Sequence, residues 1–149
     1  MNRDEEKKEI LSALQEDSRT QLMKRYIQHG KVSTFEHCTN VANCSYWIDK
    51  FFSAHSDLEV LLTGAMLHDF YLYDWHKHDN GEHRLHGFSH ASTARENAQN
   101  SFGINEKTSH VIDSHMWPLN IGRLPRSKEA WIVCIADKLV SMKETLFRR

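Results

Sequence analysis

The sequence has only two prolines and three cysteines, and no long run of apolar residues. None of the cysteines, at positions 38, 44 and 134, belongs to a C-x-x-C pair. The amino terminus, MNRDEEKKEI, has neither an apolar signal core nor an Arg-rich transit pattern. We therefore expect a reduced, cytoplasmic protein. No apolar run approaches the roughly 20 residues that a membrane span needs, so no membrane partner is expected.

An excess of charge of either sign is also absent. The chain has 19 Lys and Arg against 20 Asp and Glu, which leaves a formal net charge of −1. This balance argues against a nucleic acid polymer or an anionic membrane as partner and favours a small molecule. A homodimer is one possibility that the sequence leaves open.

The length of 149 residues and the apolar content of 40% suit one globular domain. We predict a single domain over residues 1–149, in which an N-terminal helix in residues 1–30 packs on a core of residues 33–147. A charged segment, residues 4–28, predicts the first helix, which should end at Gly30 in a left-handed cap. The S-x-x-E pattern of Ser33 and Glu36 predicts a second helix that runs to about Phe52.

Four further helices complete the predicted fold. Asp57 can cap a third helix, LEVLLTGAMLHD, which is apolar almost all round and should be central. The fourth should open near Ser89 and end before Gly103. A fifth is expected over residues 105–116 and the last over residues 127–147. Five or six helical periods without alternating apolar and polar runs predict an all-α class.

Histidine is concentrated in the stretch HDFYLYDWHKHDNGEHRLHGFSH, residues 68–90, which holds six of the eleven histidines. A metal site, a solvated loop and a pH-sensing patch are three competing interpretations. Further candidate ligands lie on other predicted helices: His37 near the start of the second and Asp137, in CIADKLV, in the last. Adjacent helical residues point about 100° apart, so His68 and Asp69 can share one ion only at a helix end or an irregular turn.

The order H…HD…D, with LLTGAMLHDF and IADKLV around it, resembles the HD superfamily of metal-dependent phosphohydrolases over residues 33–144. The segment HASTARENAQNSFGINEKTSHVIDSHMW is similar in layout to a subset with two more histidines, which includes bacterial diadenosine tetraphosphate hydrolases. The resemblance implies an all-α HD-domain bundle, a divalent metal and phosphoester hydrolysis. It also implies that His90 and His115 hold a second metal, with Asp69 bridging the pair. The aromatic insert YLYDWHKHDNGEHRL departs from that subset, so the substrate is not carried over.

An imidazole-rich site with few carboxylates favours Fe, Mn, Co, Ni or Zn over Mg or Ca. One or two such ions are expected, and a hydroxide held between two of them could attack phosphorus in line. The predicted function is metal-dependent hydrolysis of a phosphoester or phosphoanhydride in a nucleotide or another small phosphate compound. Two hypotheses of other classes stay open: a non-catalytic HD-type module that senses a metal or ligand, and a histidine-rich metal carrier.

Each candidate residue has a predicted role. The metal ligands are His37, His68, Asp69, His90, His115 and Asp137. The catalytic candidates are Asp69, His86 and Lys138, and the substrate-binding candidates are Arg84, Arg123 and Trp117. These cations can hold phosphate oxygens, and the indole can stack on a base, although a solvated charge and a core aromatic are the plainer alternatives.

His86 stands four residues before His90, a spacing that can share one ion on a helix. Gly87 is expected to leave His86 in a loop, where it would act as a third ligand or as a phosphate contact. The three remaining histidines of the stretch are interpreted as loop residues over the mouth of the site: His76, His78 and His83. Loss of Lys138 or Arg84 is expected to raise KM more than it lowers kcat.

Overall fold

Seven α-helices, one 3-10 helix and one short hairpin form the described part of the protein. The computed structural model describes residues 1–73 and 86–147, and for residues 86–88 it describes the backbone alone. The helices are α1 (Arg3–Glu16), α2 (Ser18–Gln21), α3 (Thr34–Phe51), α4 (Leu58–Leu67), α5 (His86–Phe102), α6 (Glu106–Ser114) and α7 (Lys128–Phe147). The 3-10 helix is Leu22–Arg25, and the antiparallel strands are β1 (Ile27–His29) and β2 (Val32–Ser33). The all-α class is confirmed, whereas the predicted number of five or six helices is too low.

The amino-terminal segment differs from the single helix predicted over residues 4–28. Helix α1 ends at Glu16. The backbone of the next residue, Asp17, is extended, and its carboxylate accepts a hydrogen bond from the Arg19 N–H at 2.8 Å, capping α2. The chain then reverses in the β1–β2 hairpin, where Gly30 has a φ of 57°. Gly30 is therefore left-handed as predicted, but in a hairpin turn and not in a helix cap. Strands of two and three residues are too short to show an apolar alternation in the sequence.

Most helix starts follow the predicted capping residues. The side chains of Ser33, Asp57 and Asn105 each accept a hydrogen bond from the backbone N–H three residues later, at 3.1, 3.2 and 2.8 Å. The Ser127 hydroxyl does the same at the start of α7. These bonds satisfy N–H groups that have no partner inside the helix. The starts of α3, α4, α6 and α7 are confirmed.

Helix α5 begins at His86, three residues before the predicted start at Ser89. His86 and His90 are thus separated by about one turn of the same helix. The prediction that Gly87 leaves His86 in a loop is wrong, because the helix runs through it. The side chain of His86 lies outside the described part of the chain. Helix α5 ends before Gly103, as predicted, and this glycine has a φ of 60°.

Helix α4 is the centre of the fold. All of its ten residues except Glu59 are buried, and it packs against α1, α3, α6 and α7. The helix contributes to two apolar clusters. Leu61 belongs to the first cluster and Met66 to the second. His68 and Asp69 follow α4 directly, so this apolar helix carries both into the interior. Within the described residues no helix has both the length and the apolar character needed to cross a bilayer.

The close contact between α4 and α6 can be tested at Gly64. A Cβ atom at this position would lie 2.5 Å from Val111 Cγ1, which is well inside carbon–carbon contact distance. We expect Gly64→Ala to lower the free energy of unfolding by about 1–3 kcal/mol despite the better helix propensity of alanine. Urea titration followed by circular dichroism measures this change.

Gly122→Ala is the matched control, because a Cβ atom there meets nothing within 4 Å. Adding Val111→Ala to Gly64→Ala should restore part of the lost stability. Equal stabilities of Gly64→Ala and the wild type would contradict the close approach of the two helices.

Candidate metal centre

Three helices bring four of the predicted ligands together. His37 lies in the first turn of α3, His68 is the C-cap of α4 with Asp69 next to it, and Asp137 is in the middle of α7. All four side chains are buried. His37 Nε2 lies 3.0 Å from Asp137 Oδ1 and 3.5 Å from Asp69 Oδ2. His68 Nε2 lies 3.3 Å from each of the same two oxygens, so four donor atoms surround one small volume.

His90 of α5 and His115 at the end of α6 face the other oxygen of Asp69. Their Nε2 atoms are 3.2 and 3.4 Å from Asp69 Oδ1 and 3.0 Å from each other. The carboxylate of Asp69 therefore directs Oδ2 to one group of donors and Oδ1 to the other. The five other predicted ligands thus lie around this carboxylate.

The imidazole rings are held by their Nδ1 atoms. His68 and His115 each donate an Nδ1–H hydrogen bond to the carbonyl oxygen three residues earlier, both at 2.6 Å. His37 Nδ1 donates to Glu144 Oε2 at 2.8 Å. Because a carbonyl oxygen only accepts, Nδ1 of His68 and of His115 carries a proton, and the neutral form of each ring has its lone pair on Nε2. Metal-binding histidines are typically oriented in this way by a group on the far side of the ring.

The donor atoms fit a divalent cation. His68 Nε2 and Asp69 Oδ1 are buried and have no hydrogen-bond partner among the described residues. Ligands about 2.1 Å from one ion lie about 3.0–3.4 Å apart in octahedral or tetrahedral geometry. The separations of 3.0–3.5 Å between the donor atoms match that geometry. Imidazole and carboxylate donors can hold Fe, Mn, Co, Ni or Zn.

Electrostatic interactions outweigh burial at most of these groups. Burial lowers the pKa of His37, but hydrogen bonds to Asp137 and Glu144 raise it to about 10. Burial likewise opposes ionisation of Asp137, but the hydrogen bond from His37 and the nearby charge of His68 hold its pKa well below the usual value. At His115 burial is the dominant effect and lowers the pKa. His115 therefore stays neutral near pH 7, with Nε2 available to a cation.

Glu144 was not predicted as part of the centre. Its Oε2 accepts the hydrogen bond from His37, and its Oε1 accepts one from Asn40 Nδ2 at 3.1 Å. Glu144 follows Asp137 by seven residues, which places both on one face of α7. That spacing is a signal by which the sequence could have indicated Glu144.

Gln28 was also missed, because the hairpin that carries it was not predicted. Its Nε2 donates a hydrogen bond to Asp69 Oδ2 at 2.9 Å. Its Oε1 in turn accepts hydrogen bonds from the hydroxyls of Tyr71 and Thr34. Gln28 thus orients the shared carboxylate, and no pattern in the sequence points to it.

A pocket of about 560 Å³ opens onto the centre. Three of the donor residues line this pocket: Asp69, His90 and Asp137. The rest of the wall is formed by Gln28, His29, Met116, Pro118, Leu119, Lys138 and Ser141. The pocket is large enough for a small organic molecule and has an apolar side as well as a polar one.

Lys138 lies at this pocket, but its ammonium group is engaged by the protein. Nζ donates hydrogen bonds to the backbone carbonyl oxygens of His115 at 3.1 Å and of Cys134 at 3.4 Å. These bonds tie α7 to the end of α6 that carries His115. Lys138 therefore stabilises the position of His115, a candidate ligand, and also lines the pocket.

Two of the predicted substrate contacts, Arg123 and Trp117, do not line this pocket. Arg123 forms an ion pair with Asp113 and lines a separate pocket of about 330 Å³. The Trp117 ring packs edge-on against Trp131, with ring centroids 5.2 Å apart. Four further candidates lie outside the described residues: His76, His78, His83 and Arg84.

Comparison with known proteins gives one match. The model of the HD domain matches residues 34–142, a segment that contains all six predicted ligands and ends two residues before Glu144. No curated protein and no solved structure matches the chain. The resemblance to the HD superfamily is confirmed, while the narrower likeness to diadenosine tetraphosphate hydrolases stays a prediction.

The support of His37 by Glu144 can be tested by Glu144→Gln. Glutamine replaces one of the two accepting oxygens with an NH2 group, which only donates, and it carries no charge, so the ring of His37 loses a charged acceptor. We expect the affinity for Mn²⁺ to fall by about 10–100-fold, measured by calorimetric titration. Glu9→Gln, an exposed change on α1, is the control and should bind Mn²⁺ as the wild type does. Unchanged affinity in Glu144→Gln would remove Glu144 from the centre.

Proposed function

We propose, because the chain belongs to the HD-domain family, that it is a metal-dependent phosphohydrolase. The proposed reaction is hydrolysis of a phosphoester or phosphoanhydride in a nucleotide or another small phosphate compound. The main support is the Asp69 carboxylate, which is buried and turns each of its oxygens toward a different pair of histidines. Such a carboxylate suits a ligand shared between two cations. A cytoplasmic location stays a prediction from the sequence.

The proposed ligands divide into two sets that share Asp69. His37, His68 and Asp137 would hold one ion together with Oδ2. His90 and His115 would hold the other together with Oδ1. Bound divalent ions supply acidity to water and neutralise charge on a phosphoryl group. Fe, Mn, Co, Ni and Zn are the proposed candidates for the metal, because imidazole donors outnumber carboxylates.

The residues around the ligands have supporting roles in this proposal. Gln28 donates to Asp69 Oδ2 and limits the directions in which that oxygen can bind an ion. Glu144 fixes the ring of His37, and Lys138 fixes the backbone of His115. The apolar side of the pocket, formed by Met116, Pro118 and Leu119, would contact the organic part of the substrate. His86, one helical turn from His90, is retained as a candidate for contact with the substrate.

Two hypotheses compete with this proposal. A sensing module that binds metal without turnover would need the same six donors, so only an activity measurement separates it from a hydrolase. A histidine-rich carrier would concentrate its binding in residues 76–90. The buried donors on α3, at the end of α4 and on α7 argue against the carrier, because a transient carrier needs no such interior site.

Asp69→Asn tests the shared carboxylate, since an amide cannot supply the negative charge that holds two cations together. The protein would be reconstituted with Mn, Fe, Co or Ni and assayed against nucleotides, dinucleotides and generic phosphoesters. We expect wild-type turnover with at least one metal and a loss of about 100-fold or more in the variant, with a parallel fall in metal content. Near wild-type turnover in Asp69→Asn would exclude the proposed role. Absence of turnover in the wild type with every metal would favour the sensing module.

A His90→Ala, His115→Ala double variant tests whether two ions are bound. Only the donors on the Oδ1 side are removed, so the variant should keep about one equivalent of metal and lose most of its hydrolysis. Elemental analysis and a thermal melt measure stoichiometry and folding. His110→Ala on α6 is the control and should keep the wild-type stoichiometry. Wild-type protein that turns over with a single ion per chain would exclude the two-ion arrangement.

A further inference from the structure

Helix α7 has an apolar outer face as well as a buried inner face. Five large apolar side chains along it are 38–58% exposed: Trp131, Ile135, Leu139, Met142 and Leu146. At about 100° per residue they fall within a stripe about 80° wide. The solvent face of a helix in a globular domain is normally polar. This stripe, here called the α7 stripe, is therefore unusual for a face in contact with water alone.

The apolar surface continues from the α7 stripe onto α3. Cys44 lines one groove together with Leu139, in which Asn43 and Lys143 also take part, and a second groove together with Trp47 and Phe51. Trp47 is 60% exposed and Phe51 is 82% exposed. These seven large side chains, which are 38–82% exposed, present on the order of 700 Å² of apolar surface. That area exceeds the roughly 300–600 Å² of the largest patch on a typical monomer and approaches the roughly 800 Å² that each partner buries in a stable complex.

We propose that the α7 stripe and the adjoining face of α3 form a two-fold symmetric interface with a second copy of this chain. The spacing of the stripe is nearly symmetric about the point between Lys138 and Leu139. In an antiparallel pair of α7 helices with a two-fold axis at that point, Trp131 meets the partner's Leu146. Ile135 meets the partner's Met142, and Leu139 lies next to its own symmetry mate. A two-fold interface requires such self-complementarity, whereas an interface with a different protein does not.

The charge nearest to the proposed axis does not oppose this pairing. Lys138 would otherwise bring two ammonium groups close together. Its Nζ is directed to the backbone carbonyl oxygens of His115 and Cys134, at 3.1 and 3.4 Å. Leu139 is therefore the side chain that lies at the proposed two-fold axis. Because Lys138 and Ser141 also line the pocket at the metal centre, the interface lies on the same helix as one wall of that pocket.

The oligomeric state tests the proposal without any assay of activity. Sedimentation velocity of the full chain should show a dimer. The double variant Ile135→Glu, Leu139→Glu should be a monomer, with the far-UV circular dichroism spectrum and metal stoichiometry of the wild type, because it changes exposed positions only. Ile121→Glu is the matched control, since Ile121 is 73% exposed and lies outside the stripe, and this variant should stay a dimer. A monomeric wild type, or a double variant that remains a dimer, would overturn the proposal.

Cysteine cross-linking tests the antiparallel register. In a Cys44→Ser background, Leu139→Cys should form a disulfide-linked dimer under mild oxidation, because the two residues 139 lie almost opposite each other. Met142→Cys should not, because its two copies are displaced by about 10 Å along the helix axis, beyond the reach of a disulfide. Equal cross-linking of both variants would indicate parallel helices and contradict the proposed antiparallel register. Failure of the phosphohydrolase proposal would leave both of these outcomes unchanged.

Discussion

The burial of one carboxylate, that of Asp69, is the constraint on which the rest of the structure depends. A charged group in the interior is costly unless other groups compensate for it. Burial opposes the ionisation of Asp69, but the charge of His68 holds the pKa of Asp69 well below the usual value. Histidines from α3, the end of α4, α5 and the end of α6 surround it, together with Gln28 of the hairpin. The helices therefore converge on this point, and the same convergence creates a set of donors suited to divalent cations.

Helix α4 makes this arrangement possible because it is apolar on nearly every side. Its ten residues insert between α1, α3, α6 and α7, and its carboxyl end delivers His68 and Asp69 to the interior. The helix ends there, so the two adjacent side chains can face the same volume. In a continuing helix they would point about 100° apart. Gly64 allows α6 to approach closely, and α6 in turn ends at His115. The packing of α4 and α6 in the core thus also determines the positions of His68, Asp69 and His115 at the centre.

Helix α7 joins the candidate centre to the proposed interface. Its inner face carries Asp137 and Glu144, which bind the ring of His37 from both of its nitrogens. Its outer face carries the α7 stripe. A second copy packed on that stripe would restrict the motion of α7 and, through it, the position of Asp137. Two functions that require a rigid helix, the positioning of a ligand and the formation of an interface, are placed on opposite faces of one element.

The sequence by itself determined the features that depend on neighbouring residues. Capping at Ser33, Asp57 and Asn105 involves residues three positions apart, so these helix starts were predictable. The six donor residues could be named as well, four from the order H…HD…D, and His90 and His115 from the resemblance to the HD superfamily. Tertiary structure alone decided which oxygen of Asp69 faces which histidines, that Gln28 orients it, and that Arg123 lies at another pocket. Those relations join residues far apart in the chain, and they arise only when the helices pack, because no local hydrogen bond or periodicity encodes them.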